Sequence, residues 1–223
     1  MPSYYAEKLA AERLQQVYEM APASVRRYLA AEIAHLQARL PSGGRVLELG
    51  CGYGRMLKEL APWADFLTGI DISRASLRMA RDYLAGCPDV ALAQMDAVCL
   101  GFAPGTFDIV CCLQNGISAF QVDQRALLAE AVRVTRPGGR VFFSSYADAF
   151  WEHRLAWFRL QADQGLLGEI DEEATGGGVI ACKDGFRATT VTPDRFLSLA
   201  RGLGKSAAVD IVAESSVFCE IRI

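Results

Sequence analysis

The residues best placed to do chemistry are a glycine triad and the acids around it. In Arg45-Val-Leu-Glu-Leu-Gly-Cys-Gly-Tyr-Gly-Arg55, Glu48 stands just ahead of Gly50, Gly52 and Gly54. A glycine turn lets backbone approach a ligand closely, because no Cβ intervenes. A helix starting after it adds unpaired N–H groups and a partial positive charge. Two more acids, Asp71 and Asp96, each follow an apolar run. Asp71 comes about twenty residues after Gly50, where a carboxylate can accept both ribose hydroxyls in charge-assisted hydrogen bonds. A loop acid such as Asp96 is also compatible with an Asx turn. The pattern suits a nucleotide. A dinucleotide fingerprint would need glycine at position 55, which is Arg55.

A second group could serve a reaction partner. Tyr4 and Tyr5 lie near the start, Gln114-Asn115-Gly116 ends an apolar run, and Trp151, His153 and Trp157 cluster with Phe150 and Phe158. His153 is the candidate general base, although a lone histidine among aromatic residues is also compatible with a structural role. Seven cysteines, at 51, 87, 99, 111, 112, 182 and 219, form no Cys-x-x-Cys pair, and His35 and His153 are the only histidines. No zinc spacing results, so no metal is expected. Reduced structural thiols are the simpler reading. A thiol cluster handling a soft metalloid is the alternative.

The elements that must position these residues follow from periodicity. Residues 4–20 and 23–39 read as helices, with Val25, Leu29, Ile33 and Leu36 along one face of the second. Pro22 suits the start of that second helix, and Pro41-Ser-Gly-Gly44 breaks the chain before the strand that carries Glu48. Strands are expected at 46–49, 65–70, 89–93, 107–113 and 140–145, with helices at 74–84 (capped by Ser73) and 122–134. Beyond Tyr146 the alternation lapses into an aromatic helix, an acidic stretch, Gly176-Gly-Gly178 and a hairpin around Lys183-Asp-Gly185. A helix from Thr192-Pro193 and strands at 207–213 and 217–223 close the chain.

Composition sets the class. At 223 residues, 52% hydrophobic and 22% charged, the chain can fill the core of one domain with additions. A formal net charge of −3 and the lack of a basic run leave no footprint for nucleic acid or an anionic membrane. No apolar segment reaches a membrane span, and the amino terminus reads as a polar helix rather than a signal peptide, so the cytoplasm is the expected compartment.

Hydrophobic-Glu-hydrophobic-Gly-x-Gly-x-Gly resembles the first motif of the class I S-adenosylmethionine (SAM)-dependent methyltransferases. Gly69-Ile-Asp-Ile-Ser73 is similar to their second motif, and Pro104-Gly-Thr-Phe-Asp-Ile-Val to the fourth-strand motif. Arg136-Pro-Gly-Gly139 before an aromatic-aliphatic strand is a further likeness. The resemblance runs from about residue 44 to the end and is closest to small-molecule enzymes often called ubiquinone-biosynthesis-like. It implies a doubly wound α/β, seven-stranded Rossmann-like sheet. Residues 1–43 would be a helical addition over the cofactor pocket, 44–223 the methyltransferase domain, and about 146–191 a cap insertion after strand five.

The resemblance also implies roles. Glu48, Gly50, Cys51, Gly52 and Gly54 would wrap the methionine and ribose of SAM. Asp71 and Ile72 would hold the ribose, Asp96 and Ala97 the adenine, and Gln114 the methionine end. Tyr5, Asn115 and His153 would face the transferred methyl as catalytic candidates, with Tyr4, Tyr146, Trp151 and Trp157 lining the acceptor pocket. The family's branches that modify DNA and amides carry Asn/Asp-Pro-Pro-aromatic where this chain has Gln114-Asn-Gly-Ile117, which argues against those acceptors. The expected reaction is direct displacement onto nitrogen, oxygen or sulfur of a small molecule by a monomer or homodimer, yielding S-adenosylhomocysteine (SAH). The rival readings are a SAM-binding protein without catalysis and a nicotinamide-dependent oxidoreductase.

Overall fold

The computed structural model describes residues 4–40 and 43–223. Pro41 and Ser42 of the expected Pro41–Gly44 break lie outside the described residues.

Seven strands form one sheet: β1 (Arg45–Leu49), β2 (Phe66–Asp71), β3 (Val90–Gln94), β4 (Phe107–Cys112), β5 (Thr135–Tyr146), β8 (Ala207–Val212) and β9 (Ser216–Arg222). Between β5 and β8 a two-stranded hairpin, β6 (Ile180–Ala181) and β7 (Arg187–Ala188), stands apart. The order in the large sheet is β3-β2-β1-β4-β5-β9-β8. β1 to β5 pair in parallel, and β9 runs antiparallel to both of its neighbours. The order reverses between β1 and β4, so a crevice opens at their carboxyl ends, where open α/β sheets bind ligands.

The helices are α1 (Tyr4–Glu7), α2 (Glu12–Glu19), α3 (Ala23–Gln37), α4 (Arg55–Leu60), α5 (Arg74–Tyr83), α6 (Gly116–Ala119), α7 (Gln124–Val134), α8 (Trp151–Asp163) and α9 (Pro193–Gly202). Strand alternation divides the apolar side chains between two faces. Leu47, Leu49, Val110 and Phe143 join one core with α7 and α9, while Val46, Ile109, Cys111 and Phe142 join another with α3, α4 and α5. A third cluster lies apart from these, joining Leu9, Val17 and Tyr28 to Trp157, Phe158 and Phe186. It ties the N-terminal helices to the insertion.

Two expectations need correction. The helix expected over 4–20 is two pieces, because Ala11 sits at φ 51° and its N–H donates to Ser76 Oγ at 3.0 Å. That tie to α5 turns the chain and buries Leu9, overriding the local preference for a continuous helix. The fifth strand begins at Thr135 rather than at 140, with Arg136–Gly139 bulged between the pairs Phe107–Thr135 and Ile109–Arg140. Asp108 holds the bulge: its carboxylate accepts from the Arg45 N–H at 2.7 Å and pairs with Arg136.

Candidate functional site

A cavity of about 480 Å³ opens at the carboxyl ends of β1, β2 and β4, within the range of small-molecule sites. Its floor is the glycine loop. Gly50 and Cys51 donate their N–H groups to the Ile70 carbonyl at 2.8 and 2.9 Å, which pins the loop to the end of β2. Gly50 has φ 74°, and a Cβ there would lie 2.3 Å from the Phe120 ring. Gly52 has φ 53°, and a Cβ there would lie 2.9 Å from Leu14 in α2, so the bare loop also admits the N-terminal helices.

Asp71 is fixed before any ligand arrives. Its Oδ2 accepts from the Gly52 N–H at 2.9 Å and its Oδ1 from the Ser73 N–H at 2.7 Å. Burial raises its pKa, and those two backbone donors oppose the rise. Each oxygen keeps a lone pair for a further donor. Glu48 differs. Strand alternation turns it away from Leu47 and Leu49 into the cavity, where it is buried and its Oε2 has no hydrogen-bond partner among the described residues. Burial pushes its carboxyl up to about 8; Arg55 opposes the shift and Asp71 adds to it. An orphaned buried carboxylate calls for a cationic or donor group from outside the chain. The glycine floor, the preset Asp71 and the orphaned Glu48 therefore fit a nucleoside with a cationic tail.

The opposite wall comes from α1, α2, β5 and α8. Tyr5, Tyr18, Tyr146, Trp157 and Phe158 line it. Tyr18 donates its hydroxyl to Gln114 Oε1 at 3.2 Å and stands 6.3 Å from Trp157 between ring centroids. Trp157 Nε1 donates to the Val17 carbonyl at 3.3 Å, tying α8 to α2. Burial raises the pKa of the Tyr5 and Tyr146 phenols, keeping both protonated.

The cavity brings together Tyr5, Glu48, Gly50, Cys51, Gly52, Asp71, Ile72, Asp96, Ala97, Gln114, Tyr146 and Trp157. Asp96 also makes the Asx turn, accepting from the Val98 N–H at 3.1 Å. Five expected residues lie outside its lining. Gly54 caps α4 at φ 89°. Tyr4 donates its hydroxyl to Asp184 at 2.7 Å and packs on Phe186. Asn115 is buried and spent on structure: it accepts from Ser145 Oγ at 2.7 Å and donates to the Thr189 carbonyl at 3.0 Å. Trp151 packs beside Arg154, and His153 is exposed against Phe150. His153 is thus not positioned as a base. Cys51 is the one cysteine among the cavity residues; burial raises its pKa well above the ordinary thiol value, so it stays a neutral thiol.

Four residues escaped the sequence reading. Arg55 opens α4 with its guanidinium 4.5 Å from the Tyr18 ring. Tyr18 falls within the helix expected over 4–20, and nothing in its spacing sets it apart. Glu32 in α3 is fully buried and accepts from the Gln114 N–H at 2.9 Å and from Ser216 Oγ. It braces Gln114 and Asn115, which sit at φ 56° and 63°. A charge in register with Leu29 and Leu36 on an apolar stripe was the available signal. Gln161 in α8 lines the cavity and had none.

The chain matches the methyltransferase-domain family over residues 46–139. It is 33% identical over 106 residues to a ubiquinone biosynthesis O-methyltransferase of Paracidovorax citrulli, covering 46% of this chain and 44% of that protein. It is 30% identical over 179 residues to an arsenite methyltransferase of Aquipseudomonas alcaligenes, covering 72% of this chain and 49% of that protein. The chain thus spans under half the length of these curated relatives. The solved DhpI–SAM–HEP complex superposes with a TM-score of 0.66 at 24% identity, covering 99% of this chain and 94% of that one. The sheet order and the superposition place the chain in the class I methyltransferase fold.

Proposed function

We propose that this chain, which carries a class I SAM-dependent methyltransferase domain, moves the methyl group of SAM to a nitrogen, oxygen or sulfur atom of a small molecule. SAM supplies a methyl already activated on a sulfonium: the acceptor's electron pair forms the new bond, the S–CH3 pair returns to sulfur, and SAH leaves. What the protein adds is alignment and exclusion of water. In this reading Asp71 takes the ribose hydroxyls and Asp96 with the Ala97 N–H takes the adenine. Glu48 faces the methionine ammonium, and Gln114 fixes the neighbouring backbone. Tyr5, Tyr18, Tyr146 and Trp157 form a dry wall whose ring faces favour positive charge at the sulfur.

One observation carries the reading: the orphaned Glu48 Oε2 beside an Asp71 already held by the loop's own Gly52 N–H. Calorimetry with SAH and with NAD tests it, followed by an assay of SAH production from SAM over an acceptor panel. SAH binding without NAD binding, plus turnover, supports it. Preference for NAD would return the oxidoreductase reading. SAH binding with no turnover over a broad panel would favour a non-catalytic SAM-binding protein.

A further inference from the structure

Once the cofactor roles are assigned, the α8 side keeps an unpaired donor on the cavity lining, Gln161, and a buried cation, Arg154, behind the Tyr146 and Phe158 rings and outside that lining. Arg154 in α8 is fully buried, yet among the described residues its only hydrogen bond runs from Nη1 to the Gly178 carbonyl at 3.0 Å. Among the described residues its Nε and Nη2 have no partner and it makes no ion pair. The guanidinium lies instead against rings, 4.6 Å from Tyr146 and 5.5 Å from Phe158, both of which line the cavity. On the same helix Gln161 is 2% exposed, lines the cavity, and among the described residues leaves Nε2 without a partner. The acids that line the cavity, Glu48, Asp71 and Asp96, belong to β1, the end of β2 and the loop after β3. Glu32 is occupied beneath Gln114, and Glu152 and Asp163 of α8 are exposed.

A buried guanidinium without a counter-charge is costly, and buried donors are normally paired. The SAM sulfonium would add a second positive charge to this space.

Resting on the methyltransferase reading, we infer that the acceptor is an anion whose carboxylate or phosphoryl oxygens are bound at the α8 wall by Gln161, within the field of Arg154. The anion supplies the acceptor that Gln161 Nε2 lacks, and its charge offsets both the sulfonium and Arg154 behind the Tyr146 and Phe158 rings.

The test uses SAH-saturated protein and calorimetry with matched probes: 4-hydroxyphenylacetate, phenylphosphonate and the neutral 4-hydroxyphenylacetamide. At least one anion should bind tenfold or more tightly than the amide, and which anion does so separates carboxylate from phosphoryl. Arg154→Met should erase the preference while leaving SAH affinity within threefold. If that variant does not fold, Gln161→Glu, which places a negative charge where the anion should sit, should abolish anion binding and spare SAH. Equal or better binding of the amide, no binding of either anion, or an anion preference that survives Gln161→Glu would overturn the inference. Failure of SAH itself to bind would instead refute the methyltransferase reading beneath it.

Discussion

The two walls of the cavity are built by different rules. On the sheet side, hydrogen bonds between the ends of two adjacent strands fix the groups: Gly50 and Cys51 to Ile70, Gly52 and Ser73 to Asp71. On the cap side, contacts between segments far apart in sequence do so, as with Trp157 to Val17, Tyr4 to Asp184 and Ala11 to Ser76. The first wall is a rigid cradle on strand ends. The second is an assembled surface, which suits it to selecting an acceptor.

If that division holds, the largest loss should come from Gly50→Val. A branched side chain at φ 74° whose Cβ meets Phe120 should cost about 2–5 kcal/mol from left-handed strain and overpacking together. Thermal unfolding and SAH calorimetry would both register it. Normal stability and affinity would show that the loop is not the cradle. Asp71→Ala should come next, weakening SAH binding by about 1.5–3 kcal/mol, the range for hydrogen bonds to a charged group. Unchanged affinity in a folded variant would remove Asp71 from the ribose.

The same contrast explains what the sequence made legible. Gly50, Gly52, Asp71 and the Ser73 cap are carried by motif or local pattern, and the structure has them in the loop after β1, at the end of β2 and at the start of α5; the seven-stranded sheet is the one the resemblance implies. The cap side depends on which distant residues meet. Asn115 reads as a methyl-facing group but is consumed by Ser145 and Thr189. His153 and Trp151 share a helix with Trp157, yet only Trp157 of the three turns into the cavity. The helix broken at Ala11 depends on a serine in α5, which no local window contains.

Glu48 sharpens the comparison through pH. With its folded pKa raised to about 8 from 4.5, the free protein loses stability as pH rises through that interval. A cation placed beside Glu48 favours the ionised form, so SAH binding at pH 7 should release close to one proton there. Binding enthalpies in buffers of different ionisation heat measure that release. No proton release would place the ammonium elsewhere.

On the cap side, Tyr5→Ala should lower acceptor turnover while SAH affinity stays within about tenfold, or 1.4 kcal/mol. A larger loss of SAH affinity than of turnover would blur the two walls into one. The smallest effect belongs to His153→Ala. Exposed and outside the cavity, it should leave turnover within about twofold, since a catalytic base typically contributes at least a hundredfold. A hundredfold loss would restore it as the base.

The central claim is that the sheet-side wall holds the cofactor and the cap-side wall faces the transferred methyl. A crystal structure with SAH tests it most directly. The account predicts ribose hydroxyls on Asp71, adenine against Met95, Asp96 and Ala97, the ammonium near Glu48, and the sulfur facing Tyr18, Tyr146 and Trp157. SAH bound with its sulfur turned from those rings, or with Asp71 free of the ribose, would contradict it.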